Sequence, residues 1–192
     1  MGMFKINIFL ICFCVILSTS VYAAENEDSV FQEVFLNYQR KVLNIINIGV
    51  EPLKKFDGVV DDHELYDLAL SAEHKLAESS RMLSELKIPI ALPDDTKTLL
   101  GRSKEELTIG LKSLSESMNY FVRFIENPSP PLYDNYIVKR DKGINYVHGG
   151  LTTLTTAKLQ LDAPDEPTQI VQEILKTLSS IEFPERHLPN HN

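Results

Sequence analysis

Tryptophan is missing from this 192-residue sequence, and cysteine nearly so: Cys12 and Cys14 stand close together near the N-terminus and none follows. A domain downstream of that pair has no thiol nucleophile, no disulfide and no Cys-X-X-Cys-His haem attachment site. Basic clusters are equally scarce. Lys and Arg number 19 against 27 Asp and Glu, the formal net charge is −8, and outside the "VKRDK" run at 138–142 no more than two basic residues stand together. Phosphate neutralisation dominates nucleic-acid affinity, so this acidic chain is expected to bind no nucleic acid. An anionic membrane surface is disfavoured for the same reason. There is no Gly-X-Ser-X-Gly elbow, no Gly-X-X-X-X-Gly-Lys phosphate loop and no His-Glu-X-X-His pair, which leaves no local signature of catalysis. The expectation is a non-enzymatic protein without a cofactor. The triplet Asn127-Pro128-Ser129 is disqualified as a glycosylation acceptor by its proline.

The N-terminus carries a targeting pattern. Lys5 supplies a positive start, Ile6 to Leu17 is apolar apart from Asn7, and Ser18 to Ser20 breaks the run. Val21-Tyr22-Ala23 then has the small-residue spacing of a signal-peptidase site. The twelve-residue run is shorter than the roughly 20 residues of a spanning helix. Residues 1–23 are therefore read as a signal peptide cleaved near Ala23, with an uncleaved anchor over Ile6 to Ala24 as the alternative. Cleavage leaves 18 basic and 27 acidic residues, a net charge of −9, and no cysteine. The expected product is an acidic, periplasmic or secreted monomer that is not membrane-bound once cleaved and is held together by packing alone.

The strongest pattern present is Leu100, Leu107, Leu111, Leu114, Met118, Phe121 and Ile125, whose steps from Leu107 onward run four, three, four, three, four. That is a helical stripe, and other helices must cover it. Around it the sequence predicts an all-α, up-and-down bundle of four to five amphipathic helices, one domain over residues 24–182, followed by a flexible polar tail at 183–192. A first helix is predicted from Ser29, as its cap, to Lys55, with Pro52 kinking or ending it early. A second runs from Asp62 to Lys87 through Leu65, Ala72, Leu76 and Leu83. "KIPIALPDD" at 87–95 is a connection, after which Asp94 or Asp95 caps the central helix. "NPSPP" at 127–131 stops that helix.

A fourth helix is predicted from Leu132 to Leu161, with Tyr133, Ile137, Ile144, Val147, Leu151, Leu154 and Leu161 on one face. Gly149-Gly150 and four threonines between 152 and 156 make it poor by propensity. Either the helix breaks there or a neighbour packs very close to its backbone. A fifth helix, Pro167 to Ile181, places Val171, Ile174, Leu178 and Ile181 on one stripe.

Three sets of residues are candidates for chemistry. His63 and Asp67, and His74 and Glu78, are each four apart on the second helix and nearly in line. Imidazole and carboxylate suit a divalent metal, but the two pairs stand about 16 Å apart along the axis. The line also faces away from the apolar stripe, so no metal is assigned and these four remain weak candidates, the basis of an alternative reading as a metal carrier. A small ligand held in the bundle interior is the other form of that alternative. Met118 and His148 are conceivable haem ligands, but a Met on an apolar stripe is ordinarily core filling. The favoured site is aromatic: Tyr120, Phe124, Tyr133, Tyr136 and Tyr146 bracket the 127–136 turn. Tyrosine's apolar body and polar tip suit an interface, so this end is expected to receive a protein partner.

Overall fold

A computed structural model describes residues 29–56, 59, 61–164 and 169–180; these are mostly helical, joined by short turns, with no strand among them. The expected signal peptide, the start of the fifth helix at Pro167 and the polar tail lie outside the described residues. Helix α1 occupies 29–50, α2 Asp62–Glu85, α3 Asp94–Glu126, α4 Pro130–Gln160 and α5 Gln169–Ser179. No described helix is long and apolar enough to cross a membrane.

Consecutive helices of the first four run antiparallel, as cross-helix contacts show. Ser80 Oγ donates to the Thr108 carbonyl and Ser115 Oγ to the Glu73 carbonyl, both at 3.0 Å. Gly49 meets Ser79 and Leu76, while Gly110 meets Val147 and Gly150 meets Leu107. Gln32 Nε2 ties α1 to the end of α4, donating at 3.1 Å to the carbonyls of Leu161 and Asp162.

Several helix ends follow from local chemistry. Pro52 has no N–H, so α1 cannot carry its ladder through that position. It stops at residue 50, and Glu51–Lys55 forms a tighter 3-10 turn with the proline in its first positions. Ser29 is already helical, and the residue before it lies outside the described residues. Asp61 caps α2, its carboxylate accepting from the Glu64 N–H at 3.1 Å. At the other end of α2, Lys104 Nζ donates to the carbonyls of Ser84 (3.1 Å) and Leu86 (3.2 Å), a cation where the helix dipole is negative. The start of α3 differs from expectation. Pro93 precedes its first turn without a side-chain cap, and Asp94 and Asp95 lie inside that turn. Asp94 instead pairs with Lys97 at 2.7 Å, which holds its carboxyl below the usual range. Acids in a first turn still favour the helix dipole.

The central stripe is the middle of the core: Leu100, Leu107, Leu111, Leu114, Met118 and Phe121 are buried, together with Phe35, Ile46, Leu65, Leu76, Leu83, Val147, Leu154 and Ile174. Helix α4 is continuous through Gly149-Gly150 and the threonines. The reason is close approach to α3. A Cβ on Gly150 would lie 2.5 Å from Leu107 Cγ and 3.0 Å from Leu107 N, and one on Gly110 would lie 2.8 Å from Val147 N. The threonine hydroxyls find partners close by: Thr152, Thr155 and Thr156 each donate to the carbonyl four residues earlier, while Thr153 lies 2.9 Å from Glu106 Oε2 of α3 and 3.1 Å from the Gly149 carbonyl, with one proton to share between them. The packing face is consequently rotated from the expected one. Tyr136, Gly143, Val147, Gly150, Leu151, Thr153, Leu154 and Ala157 are buried, whereas Tyr133, Ile137, Ile144 and Leu161 are half-buried. The helix ends with Asp162 at φ 49°, the left-handed residue of a C-terminal cap, and the Ala163 N–H returns to the Lys158 carbonyl at 3.2 Å.

Candidate functional site

The turn at 127–129 reverses the chain so that the end of α3 and the start of α4 lie side by side. That brings three of the five expected aromatics together. The Phe124 and Tyr133 rings are 6.1 Å apart between centroids, and Tyr133 and Tyr136 6.4 Å apart. Phe121 of the central stripe, itself one of the aromatics leading into the turn, joins them 5.3 Å from Tyr136, and one ring from elsewhere completes the cluster: Phe56, which follows the 3-10 turn, 6.1 Å from Phe121. The cluster is mostly internal. Phe124 is 0% exposed and Tyr136 2%, so neither can touch a partner while the fold is intact. Burial pushes the Tyr136 hydroxyl up to about 12, against the opposing pull of Arg140, whose guanidinium lies 5.6 Å from the ring centre.

The other two expected residues lie elsewhere. Tyr120 is half-buried on α3 with the Arg123 guanidinium 5.8 Å from its ring. Tyr146 is ten residues beyond Tyr136, about 15 Å along α4, and stacks with Lys142 at 5.8 Å. Near Tyr120, Lys139 of α4 bonds Glu116 of α3, and this partner raises the lysine's pKa. The outer side of α4 also carries Val138, which is 62% exposed, while Tyr146 is 37% exposed. Sequence periodicity missed Val138 because it sits between Ile137, counted as core, and a basic run. A further tyrosine at this end, Tyr66 of α2, donates to Glu126 Oε1 at 3.1 Å, and that bond raises its pKa.

The histidine line lies on the solvent side of α2. His63 Nδ1 is 4.0 Å from Asp67 Oδ2, with both side chains more than half exposed. Glu78 turns from His74 to Lys75, at 2.9 Å, and the lysine lowers its pKa. Among the described residues no three His, Asp or Glu side chains converge as a metal site would need. Met118 is fully buried and His148 exposed, so the two are not placed as a facing pair. The sequence matches no family model, no curated protein and no solved structure.

Proposed function

We propose that this is an exported, non-enzymatic binding protein whose partner, another protein, docks on the outer face of α4 and the adjoining tyrosine-rich end. The observation that carries the reading is the pair Val138 and Tyr146, 62% and 37% exposed on one helix. They are two turns apart with Lys142 between them. Large apolar side chains at that helical spacing make a stripe that a partner can cover. Tyr120 and Tyr133, each half-buried, extend the surface towards the turn. Phe124 and Tyr136 hold the end in shape from beneath. Export rests on the sequence alone, on Lys5, the Ile6 to Leu17 run and the Val21-Tyr22-Ala23 site. In this reading a signal peptide precedes the bundle and the mature chain is a periplasmic or secreted monomer.

The test is site-specific photo-crosslinking in the protein's own host. A photoreactive residue replacing Val138 or Tyr146 should capture one partner in stoichiometric amount, and the same residue at His63 or Glu78 on α2 should not. Mass spectrometry of the same material should give a mature chain beginning at Ala24. Equal capture from both faces, or none, overturns the surface; a full-length chain in the membrane fraction overturns the cleavage.

A further inference from the structure

The missing N–H of Pro52 has an effect outside the core. As α1 tightens into the 3-10 turn, Leu53 turns inward and is 2% exposed, while a groove of about 280 Å³ opens between this turn and α2. Ile48, Pro52 and Leu68 line it, along with Lys55, Lys75 and Glu51. Ile48 is 41% exposed although Ile46 and Val50 beside it are fully buried. It forms a wall of the groove and is not part of the core. The charge of the lining is opposite to that of the chain. Glu51 is held by Lys54 at 2.8 Å. Lys75 bonds Glu78 at 2.9 Å, but an ammonium has three protons to donate and a half-exposed ion pair is weak. The lining thus sets two lysines against one carboxylate beside an apolar floor, a local excess of one positive charge in a protein of net charge −8.

We propose that this groove binds a small amphipathic anion: a free carboxylate with an apolar body, its hydrocarbon against Ile48, Pro52 and Leu68 and its head at Lys55 and Lys75. The volume lies just below the roughly 300–1,000 Å³ of pockets for drug-sized ligands. That fits a medium-chain acid and excludes a two-chain lipid. The site uses α1 and α2 and is separate from the α4 face, so the two readings stand or fall independently.

Methyl NMR of the intact protein titrated with decanoate tests it, with decanol and decylamine as chain-matched neutral and cationic controls. Decanoate should give a saturable shift of the Ile48 and Leu68 methyls and leave Ile46 in place. The double variant Lys55→Gln/Lys75→Gln, altered only at exposed positions, should keep the Ile46 signal. It should bind decanoate roughly tenfold more weakly, the loss expected from removing charge-assisted hydrogen bonds. Equal binding of decanol, unchanged affinity of the double variant, or shifts spread through the core would each overturn the proposal. So would an Ile48 shift that follows protein concentration without ligand, since a second copy would then cover the groove.

Discussion

Gly110 of α3 and Gly143 of α4 face each other so closely that a methyl on either would stand 3.0 Å from the other's carbonyl oxygen. Backbone meets backbone at that point, and no rotamer change can make room. The same seam continues at Gly150 against Leu107. It lets the two longest described helices approach closely, with Ser103 Oγ donating across it to the Gly150 carbonyl at 2.8 Å.

Replacing these glycines by alanine should therefore reverse the usual sign. In an ordinary helix interior Gly→Ala gains up to about 1 kcal/mol, whereas overpacking costs about 1–3 kcal/mol and more where only backbone can yield. Gly110→Ala, Gly143→Ala and Gly150→Ala are expected to lower stability by about 1–3 kcal/mol net. Gly101→Ala and Gly149→Ala, whose nearest neighbours are side-chain atoms at 3.7 and 3.6 Å, should raise it by up to about 1 kcal/mol. Urea midpoints of the five variants separate the classes, and uniform behaviour would mean the seam is looser than described.

Two equally hidden serines should respond oppositely to loss of their hydroxyl. Ser79 Oγ is fully buried and finds no hydrogen-bond partner among the described residues. Ser79→Ala removes that cost and improves helix propensity, so about 1 kcal/mol of stabilisation is expected. Ser103→Ala breaks the bond to Gly150 and should lose about 1 kcal/mol. Thermal unfolding of both variants reads the contrast directly. A bulkier Ser79→Val should destabilise, because Gly49 already lies so near that its added Cβ would be 3.0 Å from Ser79.

Stability should fall at high pH through two buried phenols. Burial raises Tyr38 and Tyr136 from 10.0 to about 12 in the folded protein. Between those values the unfolded chain loses protons that the folded chain keeps, so each tyrosine's contribution is whole below pH 10 and declines as pH rises towards 12. At about 1.4 kcal/mol per pH unit, each removes up to roughly 3 kcal/mol. Denaturant unfolding at stepped pH should show the decline, and Tyr38→Phe should shrink it. A flat profile above pH 10 would contradict burial of the hydroxyls.

On the aromatic end, binding and folding should come apart by residue. Tyr146→Ala and Val138→Ser are exposed changes and should move stability by no more than about 0.5 kcal/mol, while abolishing partner capture. Tyr136→Ala removes a buried ring and should cost about 3–5 kcal/mol. Paired melting and pull-down measurements on the three variants check this. Intact capture by Tyr146→Ala would place the partner elsewhere.

How much of this was legible depended on which residue types did the packing. Helix α3 was readable because Leu, Met and Phe mark its buried stripe. The extent of helix α4 was readable too, and Val147, Leu151 and Leu154 are buried as their spacing implies, but the rest of its inner face was not, because part of it is Gly143 and Gly150. Glycine has no hydropathy signal and reads as a breaker, so Ile137 and Ile144 look like core positions in the sequence although they stand at its edges. The turn at 127–131 correctly brought Phe124, Tyr133 and Tyr136 together. Their burial was not readable, since an aromatic ring beside a turn has the same sequence signature facing in or out. Pro52 announced a break in α1, but the groove beneath it needed the position of Leu68 on the next helix.

The bonds from Gln32 to Leu161 and Asp162 span 129 and 130 residues. During synthesis the first helix therefore emerges long before the carbonyls that brace its opening turn exist. Until the end of α4 leaves the ribosome, that turn has neither of these partners. Neighbouring helices can pair in order as they appear, but fastening this end must await a nearly finished chain. A late truncation, ahead of residue 161, should leave the opening of α1 frayed even where the α3–α4 seam has already formed.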